Sequence, residues 1–207
     1  STRVRSSAAS DVYKRQVLTG VLDKLQVERC FLVGHSMGGY VAEAFAAVHP
    51  ERVQGLVLLH STPNADTEQK KENRRREIAL VQADKKDLIV QLFAAKGFAP
   101  ANREWLRTRI EQLSELMAMN DSQGIIAVLN GLIQRVDQHE MMRNLKVPQL
   151  FIFGREDEFM PVEAAEQIIA AQPQAQVAWL KHSGHMGYLE EPERVLEILE
   201  QFIESNK

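Results

Sequence analysis

The residues best suited to chemistry lie in the run Gly34-His35-Ser36-Met37-Gly38, which has the pattern Gly-x-Ser-x-Gly. A short apolar run precedes it, and an alanine-rich segment follows it. This order predicts a strand, a sharp turn and a helix, with the serine hydroxyl exposed on the turn. Glycine permits the turn because it lacks a Cβ atom, and the helix N-terminus favours negative charge nearby. The pattern therefore predicts a nucleophilic serine.

A serine hydroxyl is a weak nucleophile unless a base activates it and an acid orients that base. An apolar segment ending in Gly154-Arg155-Glu156-Asp157 offers Asp157, and Ser183-Gly184-His185, after another short apolar segment, offers His185. Both candidates follow predicted strands, and open parallel sheets assemble their sites at the carboxyl ends of strands. The chain order Ser, Asp, His is also the one that follows such an elbow. Glu156 and Glu158 flank Asp157 and remain alternatives for the acid.

With these three elements the sequence resembles the α/β-hydrolase family from about Val17 to its C-terminus. The resemblance implies that Ser36 is the nucleophile, His185 the general base and Asp157 the orienting acid. It also implies that the backbone N–H of Met37 contributes to an oxyanion hole. The implied activity is hydrolysis of a small acyl or ester compound through an acyl-enzyme, without a cofactor or metal. Carbon–carbon bond hydrolases, perhydrolases and non-catalytic ligand-binding members keep the same fold and remain alternatives.

Histidine, aromatic and methionine side chains are candidates for lining the substrate pocket, because soft side chains suit adaptable apolar pockets. They are His35, His60, Phe159, Met186, Trp105, Met117, Met119, Met141 and Met142. Taken singly, a methionine or an aromatic residue such as Trp105 or Phe159 is more often part of the core. No His-x-x-x-His or Cys-x-x-Cys spacing indicates a metal site.

Apolar runs that alternate with helical patterns predict a parallel sheet flanked by helices. The predicted strands are 29–34, 53–60, 149–153 and 176–180, and the predicted flanking helices are 17–27, 36–48, 161–171 and 192–205. The pattern from 65 to 145 is helical throughout and predicts helices at 67–82, 85–95, 102–119 and 122–136, with Asp84 and Asp121 as caps. We therefore expect a core at 17–62 and 146–207 and a helical cap inserted at 63–145.

The first 16 residues lack a helical or strand period. The run from Asp11 to Gln16 also matches the translation of a transposon end used in sequencing libraries. We expect residues 1–16 to be a disordered, non-native leader. On this interpretation the early strands of the fold, with the second oxyanion donor, are missing. The elbow strand would then be an exposed edge, and the chain as given would have little or no activity.

Composition narrows the function classes. The chain has 207 residues, of which 44% are hydrophobic and 26% charged, with a net charge of −3. An acidic balance argues against a nucleic-acid partner, and no apolar run approaches the roughly 20 residues that span a membrane. The single cysteine, Cys30, is interpreted as packing. We expect a cytoplasmic protein whose native N-terminus is missing, and the oligomeric state stays open.

Overall fold

The computed structural model describes residues 8–207, with side chains from Gln16 onward. Its centre is a parallel sheet of four strands in the order β1-β2-β3-β4. The strands are β1 (Cys30–His35), β2 (Val53–Leu59), β3 (Gln149–Gly154) and β4 (Gln176–Leu180). Each predicted strand is confirmed to within a residue or two at its ends.

Helices flank the sheet and fill the long connection between β2 and β3. They are α1 (Ala8–Lys24), α2 (Met37–Val48), α3 (Glu68–Gln82), α4 (Lys86–Lys96), α5 (Arg107–Ala118), α6 (Ser122–Gln134), α7 (His139–Asn144), α8 (Val162–Ala171), α9 (Gly187–Glu190) and α10 (Pro192–Glu204). Single 3₁₀ turns lie at Pro50–Arg52 and Pro100–Asn102. The connections that return each strand to a parallel neighbour are helical, as a parallel sheet requires.

Two apolar layers cover the two faces of the sheet, because successive side chains of a strand point to opposite faces. Leu56 and Leu58 of β2 lie in one layer, which α2 and α8 complete. Val57 and Leu59 lie in the other layer, which α10 completes. Burial on both faces explains why β2 and β3 are continuously apolar in sequence.

The beginning of the described chain differs from the prediction. Residues 8–16, expected to be disordered, form the first half of α1, which packs against α2 and α6. No proline or glycine interrupts this run before Gly20, so a helix is possible without an amphipathic period. Residues 1–7 lie outside the described part of the chain. The predicted edge position of the elbow strand is confirmed, since β1 pairs only with β2 in the described sheet.

The connection between β2 and β3 holds helices α3 to α7, in agreement with the predicted helical character. Asp121 caps α6 as predicted, because its carboxylate accepts the N–H of Gly124 at 2.9 Å. The prediction for Asp84 is wrong: this residue has φ 59°, and α4 begins after Lys85 without a side-chain cap. Helix α5 begins later than predicted because the 3₁₀ turn precedes it. The division into core and cap stays a prediction.

No helix among the described residues is long and apolar enough to cross a membrane.

Candidate active site

The turn between β1 and α2 holds Ser36 in a strained backbone conformation, with φ 51° and ψ −118°. The N–H of Ser36 donates to the carbonyl of Leu59 at 2.9 Å, and the hydroxyl of Ser61 donates to the carbonyl of Ser36 at 2.8 Å. A Cβ atom at Gly34 would lie 2.5 Å from the carbonyl oxygen of Gly38. The glycines of the motif and the end of β2 thus hold the turn, and a strained serine of this kind is typical of a nucleophile elbow.

The structure brings Ser36, His185 and Asp157 together. Ser36 Oγ lies 2.8 Å from His185 Nε2, and His185 Nδ1 lies 2.8 Å from Asp157 Oδ2. An ionised carboxylate only accepts hydrogen bonds, so Nδ1 of His185 carries the proton. In the neutral imidazole, Nε2 then accepts the hydrogen bond of the Ser36 hydroxyl. This tautomer is the one that a serine nucleophile needs in its base.

Asp157 is buried, and all its hydrogen bonds favour the ionised carboxylate. Its Oδ1 accepts hydrogen bonds from the backbone N–H groups of Phe159 at 2.8 Å and Met160 at 3.0 Å. Its Oδ2 accepts hydrogen bonds from the imidazoles of His185 and His60. Burial alone would raise the pKa of Asp157, but the hydrogen bonds from the two histidines hold it well below its usual value.

The two acidic neighbours of Asp157 differ from it in position. Glu156 and Glu158 are both exposed, and Glu158 forms an ion pair with Arg103 at 2.5 Å. Neither of these two carboxylates hydrogen-bonds to His185, whose Nδ1 bonds to Asp157. Of the three carboxylates in this loop, only the buried one meets the base.

The loop that carries His185 is tied to the end of α4 and to α9. The backbone N–H groups of His185 and Met186 both donate to the carbonyl of Gly97, at 2.8 and 3.1 Å. The buried carboxylate of Glu190 accepts the N–H of Ala99 at 2.7 Å and of Gly184 at 2.8 Å. These contacts fix the imidazole from two sides.

The contacts that hold the His185 loop could not be predicted from the sequence. Glu190 looks like one of many acidic residues near the C-terminus, and Glu191, which accepts the hydroxyl of Ser183 at 2.6 Å, is its neighbour. Gly97 contributes only a carbonyl group, which any residue type carries. No signal in a single sequence distinguishes such groups from exposed polar residues.

Two predicted pocket residues, His35 and His60, lie at the site, where they form hydrogen bonds to His185 and Asp157. His35 Nε2 donates to the carbonyl of His185 at 2.7 Å. Burial lowers the pKa of His35 to about 4, although that hydrogen bond opposes the shift. His60 is fully buried, and its Nδ1 lies 3.2 Å from Asp157 Oδ2. Both residues are therefore part of the hydrogen-bonded frame around the base.

Phe159, a predicted pocket residue, lies beside the imidazole of His185. Its ring meets the ring of His185 edge to face, with centroids 5.1 Å apart, and stacks on Phe93 of α4 at 5.3 Å. The ammonium group of Lys96 lies 5.0 Å from the Phe159 centroid. Met186 lies against Gly97 beside this wall. Together they form an apolar wall with one cationic group at its end.

The remaining pocket candidates do not gather at this wall. Met142 is buried in the core, and Met141 packs against it. Trp105 and Met119 are 63% and 79% exposed, respectively. Cys30 packs against the core, as predicted. Core packing or solvent exposure, and not the catalytic centre, accounts for these residues.

His60, Asp157 and His185 also form a group whose possible metal-ligand atoms lie within 4.8 Å of one another. Both Nδ1 atoms face the same carboxylate oxygen, and the other oxygen accepts two backbone N–H groups. Protons shared between these groups account for the arrangement, so it gives no independent indication of a metal.

The chain matches the family model for the α/β hydrolase fold over residues 5–192. It is 30% identical over 210 residues to a 2-hydroxy-6-oxononadienedioate/2-hydroxy-6-oxononatrienedioate hydrolase of Paraburkholderia phymatum, covering 97% of this chain and 70% of that protein. It is 26% identical to a pimeloyl-[acyl-carrier protein] methyl ester esterase of Aeromonas hydrophila, covering 85% of this chain and 71% of that protein.

A solved structure is similar as well. An esterase of Thermogutta terrifontis superposes with a TM-score of 0.84 at 28% identity, covering 91% of this chain and 70% of that one. The protein belongs to the α/β hydrolase family, and its relatives are hydrolases and esterases.

Proposed function

We propose that this protein is a serine hydrolase that cleaves carboxylic esters of small molecules through an acyl-enzyme on Ser36. The observation that carries the proposal is the hydrogen-bonded series from Ser36 Oγ through the imidazole of His185 to Asp157. Nucleophile, base and orienting acid are each within hydrogen-bond reach of the next, which is the geometry that serine nucleophiles share on unrelated folds.

In the first half of the reaction, Nε2 of His185 takes the hydroxyl proton as Ser36 Oγ bonds to the ester carbonyl carbon. The carbonyl oxygen becomes an oxyanion beside the N-terminus of α2, and we infer that the backbone N–H of Met37, the first residue of that helix, donates to it. The tetrahedral intermediate then expels the alcohol, which takes its proton from Nε2 of His185. An acyl group remains on Ser36 Oγ.

In the second half, a water molecule replaces the alcohol. His185 Nε2 accepts a proton from the water as its oxygen bonds to the acyl carbon, and the same proton returns to Ser36 Oγ when the acid leaves. Asp157 stays ionised throughout. Its role is to hold the Nδ1–H tautomer and to stabilise the imidazolium that forms in each half.

Hydrolysis of a carbon–carbon bond is a second candidate, because the relatives that are 30% identical are named as hydrolases of 2-hydroxy-6-oxononadienedioate. The same three side chains would serve that reaction. A direct comparison of this compound with short p-nitrophenyl esters as substrates separates the two activities. The ester proposal expects the larger kcat/KM for the esters.

Labelling with a fluorophosphonate probe tests the nucleophile. We expect the full-length protein to be labelled at Ser36 and the Ser36→Ala variant to lose the label. Ser205→Ala is the matched control, since Ser205 is an exposed serine at the end of α10 and should leave labelling unchanged. A folded wild-type protein that resists the probe would instead support a non-catalytic ligand-binding member of the fold.

A further inference from the structure

We propose that His60 is a positioning residue for the base: a neutral His60 donates a second imidazole N–H to Asp157 and thereby weakens the hydrogen bond between Asp157 and His185. The inference rests on the proposed function, in which His185 is the general base. It concerns a residue that does not touch the reacting atoms and acts only through the carboxylate.

His60 follows the last residue of β2, so its ring enters the site from the strand between β1 and β3. Its Nδ1 lies 3.2 Å from Asp157 Oδ2, the same oxygen that lies 2.8 Å from His185 Nδ1. The two imidazole rings have centroids 5.6 Å apart. The His60 side chain is fully buried, and that of Asp157 is 1% exposed. One carboxylate oxygen thus serves two imidazoles in the absence of competing bulk solvent.

The chemistry of the contact fixes the tautomer of His60. An ionised carboxylate has no proton to give, so Nδ1 of His60 must carry one. Its Nε2 is buried and has no hydrogen-bond partner within the described part of the chain. A proton on Nε2 would create a buried cation without a second acceptor, which burial strongly disfavours. Burial accordingly lowers the pKa of His60, against the opposing effect of Asp157. His60 is therefore neutral, with its proton on Nδ1.

The position of His60 carries two local penalties. Its backbone has φ 48°, a left-handed conformation that a non-glycine residue rarely adopts, and its Nε2 is a buried acceptor without a donor among the described residues. Gly187 leaves the space for the ring, since a Cβ atom there would overlap Nε2. An apolar residue would avoid the unpaired nitrogen. The hydrogen bond to Asp157 is the interaction that compensates for these penalties.

The effect on His185 follows from the shared oxygen. A carboxylate that accepts a second N–H bond is a weaker acceptor for the first, so the imidazolium of His185 gains less stabilisation from it. The other titratable groups facing this pair are His35 from β1, whose ring centroid is 5.8 Å from that of His60, and Glu191 at the end of α9. Both remain in place when His60 is replaced, so a change in His185 reports the lost N–H bond.

The test compares His60→Leu with His60→Asn. The two side chains have the same branched shape, but only Asn places an N–H donor where Nδ1 lies, and it also tolerates a positive φ. Proton–nitrogen NMR of histidine side chains would be used to observe the Nδ1–H group of His185 in wild type and both variants. Folding would be checked by urea unfolding. His49→Leu is the control for loss of a histidine outside this group, because His49 lies beside Glu51 at the end of α2.

We expect the Nδ1–H proton resonance of His185 to move downfield in His60→Leu, because Asp157 Oδ2 then accepts one imidazole N–H instead of two and binds His185 more strongly. The resonance should stay near its wild-type position in His60→Asn and His49→Leu. A folded His60→Leu protein whose His185 Nδ1–H resonance is unchanged overturns the inference. So does a wild-type spectrum with the proton of His60 on Nε2. A wild-type protein that the fluorophosphonate probe does not label overturns the proposed function instead, and the NMR spectra still decide the role of His60.

Discussion

Asp157 and Glu43 are both buried carboxyl groups, yet their surroundings are opposite. Asp157 is 4% exposed and accepts hydrogen bonds from two backbone N–H groups and two imidazoles. Glu43, on α2, is 0% exposed, and neither of its oxygens has a hydrogen-bond partner among the described residues. The pKa of Asp157 is lowered, whereas burial raises that of Glu43 well above its usual value despite the nearby charge of Arg135.

The difference shows that burial does not decide the charge of a carboxyl group; the donors around it do. Removing a carboxylate from water disfavours its charge in both places. At Asp157 four N–H groups converge and more than offset that loss, whereas at Glu43 the guanidinium of Arg135 is occupied elsewhere. Arg135 lies over the ring of Tyr40 at 3.7 Å and donates to the carbonyl of Thr62 at 3.2 Å. The surroundings therefore favour the charged form of Asp157 and the neutral form of Glu43.

The largest expected effect comes from removing the charge of the first acid. In Asp157→Asn the amide cannot hold the Nδ1–H tautomer of His185, because its NH₂ group donates where the carboxylate accepted. We expect Ser36-dependent ester hydrolysis by the full-length protein to fall by about 10⁴-fold. The measurement is kcat with a short p-nitrophenyl ester.

Glu43→Gln is the matched control for that experiment, since it makes the same kind of change in the other buried acid. Its kcat should stay close to the wild-type value, because neither carboxyl oxygen of Glu43 hydrogen-bonds to a described residue, Ser36, Asp157 and His185 included. If both variants lost activity equally, the distinction between the surroundings of Asp157 and those of Glu43 would be wrong.

Replacing Glu43, which should leave the activity unchanged, should increase the stability of the protein. Glu43→Met replaces a buried, unpaired carboxyl group by an apolar side chain of similar length. We expect the free energy of unfolding at pH 8 to rise by about 1–3 kcal/mol. Urea unfolding followed by circular dichroism measures it. A variant that is less stable than wild type would show that Glu43 has a stabilising partner.

The increase in the free energy of unfolding in Glu43→Met could come from the carboxyl charge or from packing, and its pH dependence distinguishes the two. The pKa of Glu43 is raised above the usual value of 4.5, so the folded state binds more protons than the unfolded state above that pH. The stability of wild type therefore falls, relative to Glu43→Met, as pH rises from about 5 to 8. The lowered pKa values of His35 and His60 act in the opposite direction but are common to both proteins and cancel in the difference. A gain that is constant with pH would assign it to packing alone.

The contrast also shows which parts of the molecule the sequence could predict. The strands, the elbow and the three residues Ser36, Asp157 and His185 were predictable, because motif spacing and apolar runs are local signals. The role of His60 was not, because it depends on which side chains a parallel sheet brings to one edge. Glu43 was missed for a related reason: an acidic residue in an alanine-rich helix gives no sign that its carboxyl group is buried.

Helix ends were predictable only where the capping side chain acts locally. Asp121 reaches an N–H group three residues ahead, and the sequence indicated it correctly. Asp84 has the same chemistry, but the left-handed turn at φ 59° places the start of α4 one residue further on. A cap prediction rests on side-chain type, whereas the outcome depends on the backbone of the preceding turn.

Asp121 extends the comparison to an exposed carboxylate and gives the smallest expected effect. It accepts a single backbone N–H, that of Gly124, and water solvates the rest of the group. Asp121→Ala should lower the free energy of unfolding by about 1 kcal/mol, the usual contribution of a helix cap. Gln123→Ala, at an exposed position in the same turn, is the control and should change it less. If Asp121→Ala lowered the free energy of unfolding as much as the loss of a buried acceptor would, solvation would not explain the difference between Asp121 and Asp157. The hydrogen-bond donors alone would then have to account for the three environments of Asp157, Glu43 and Asp121.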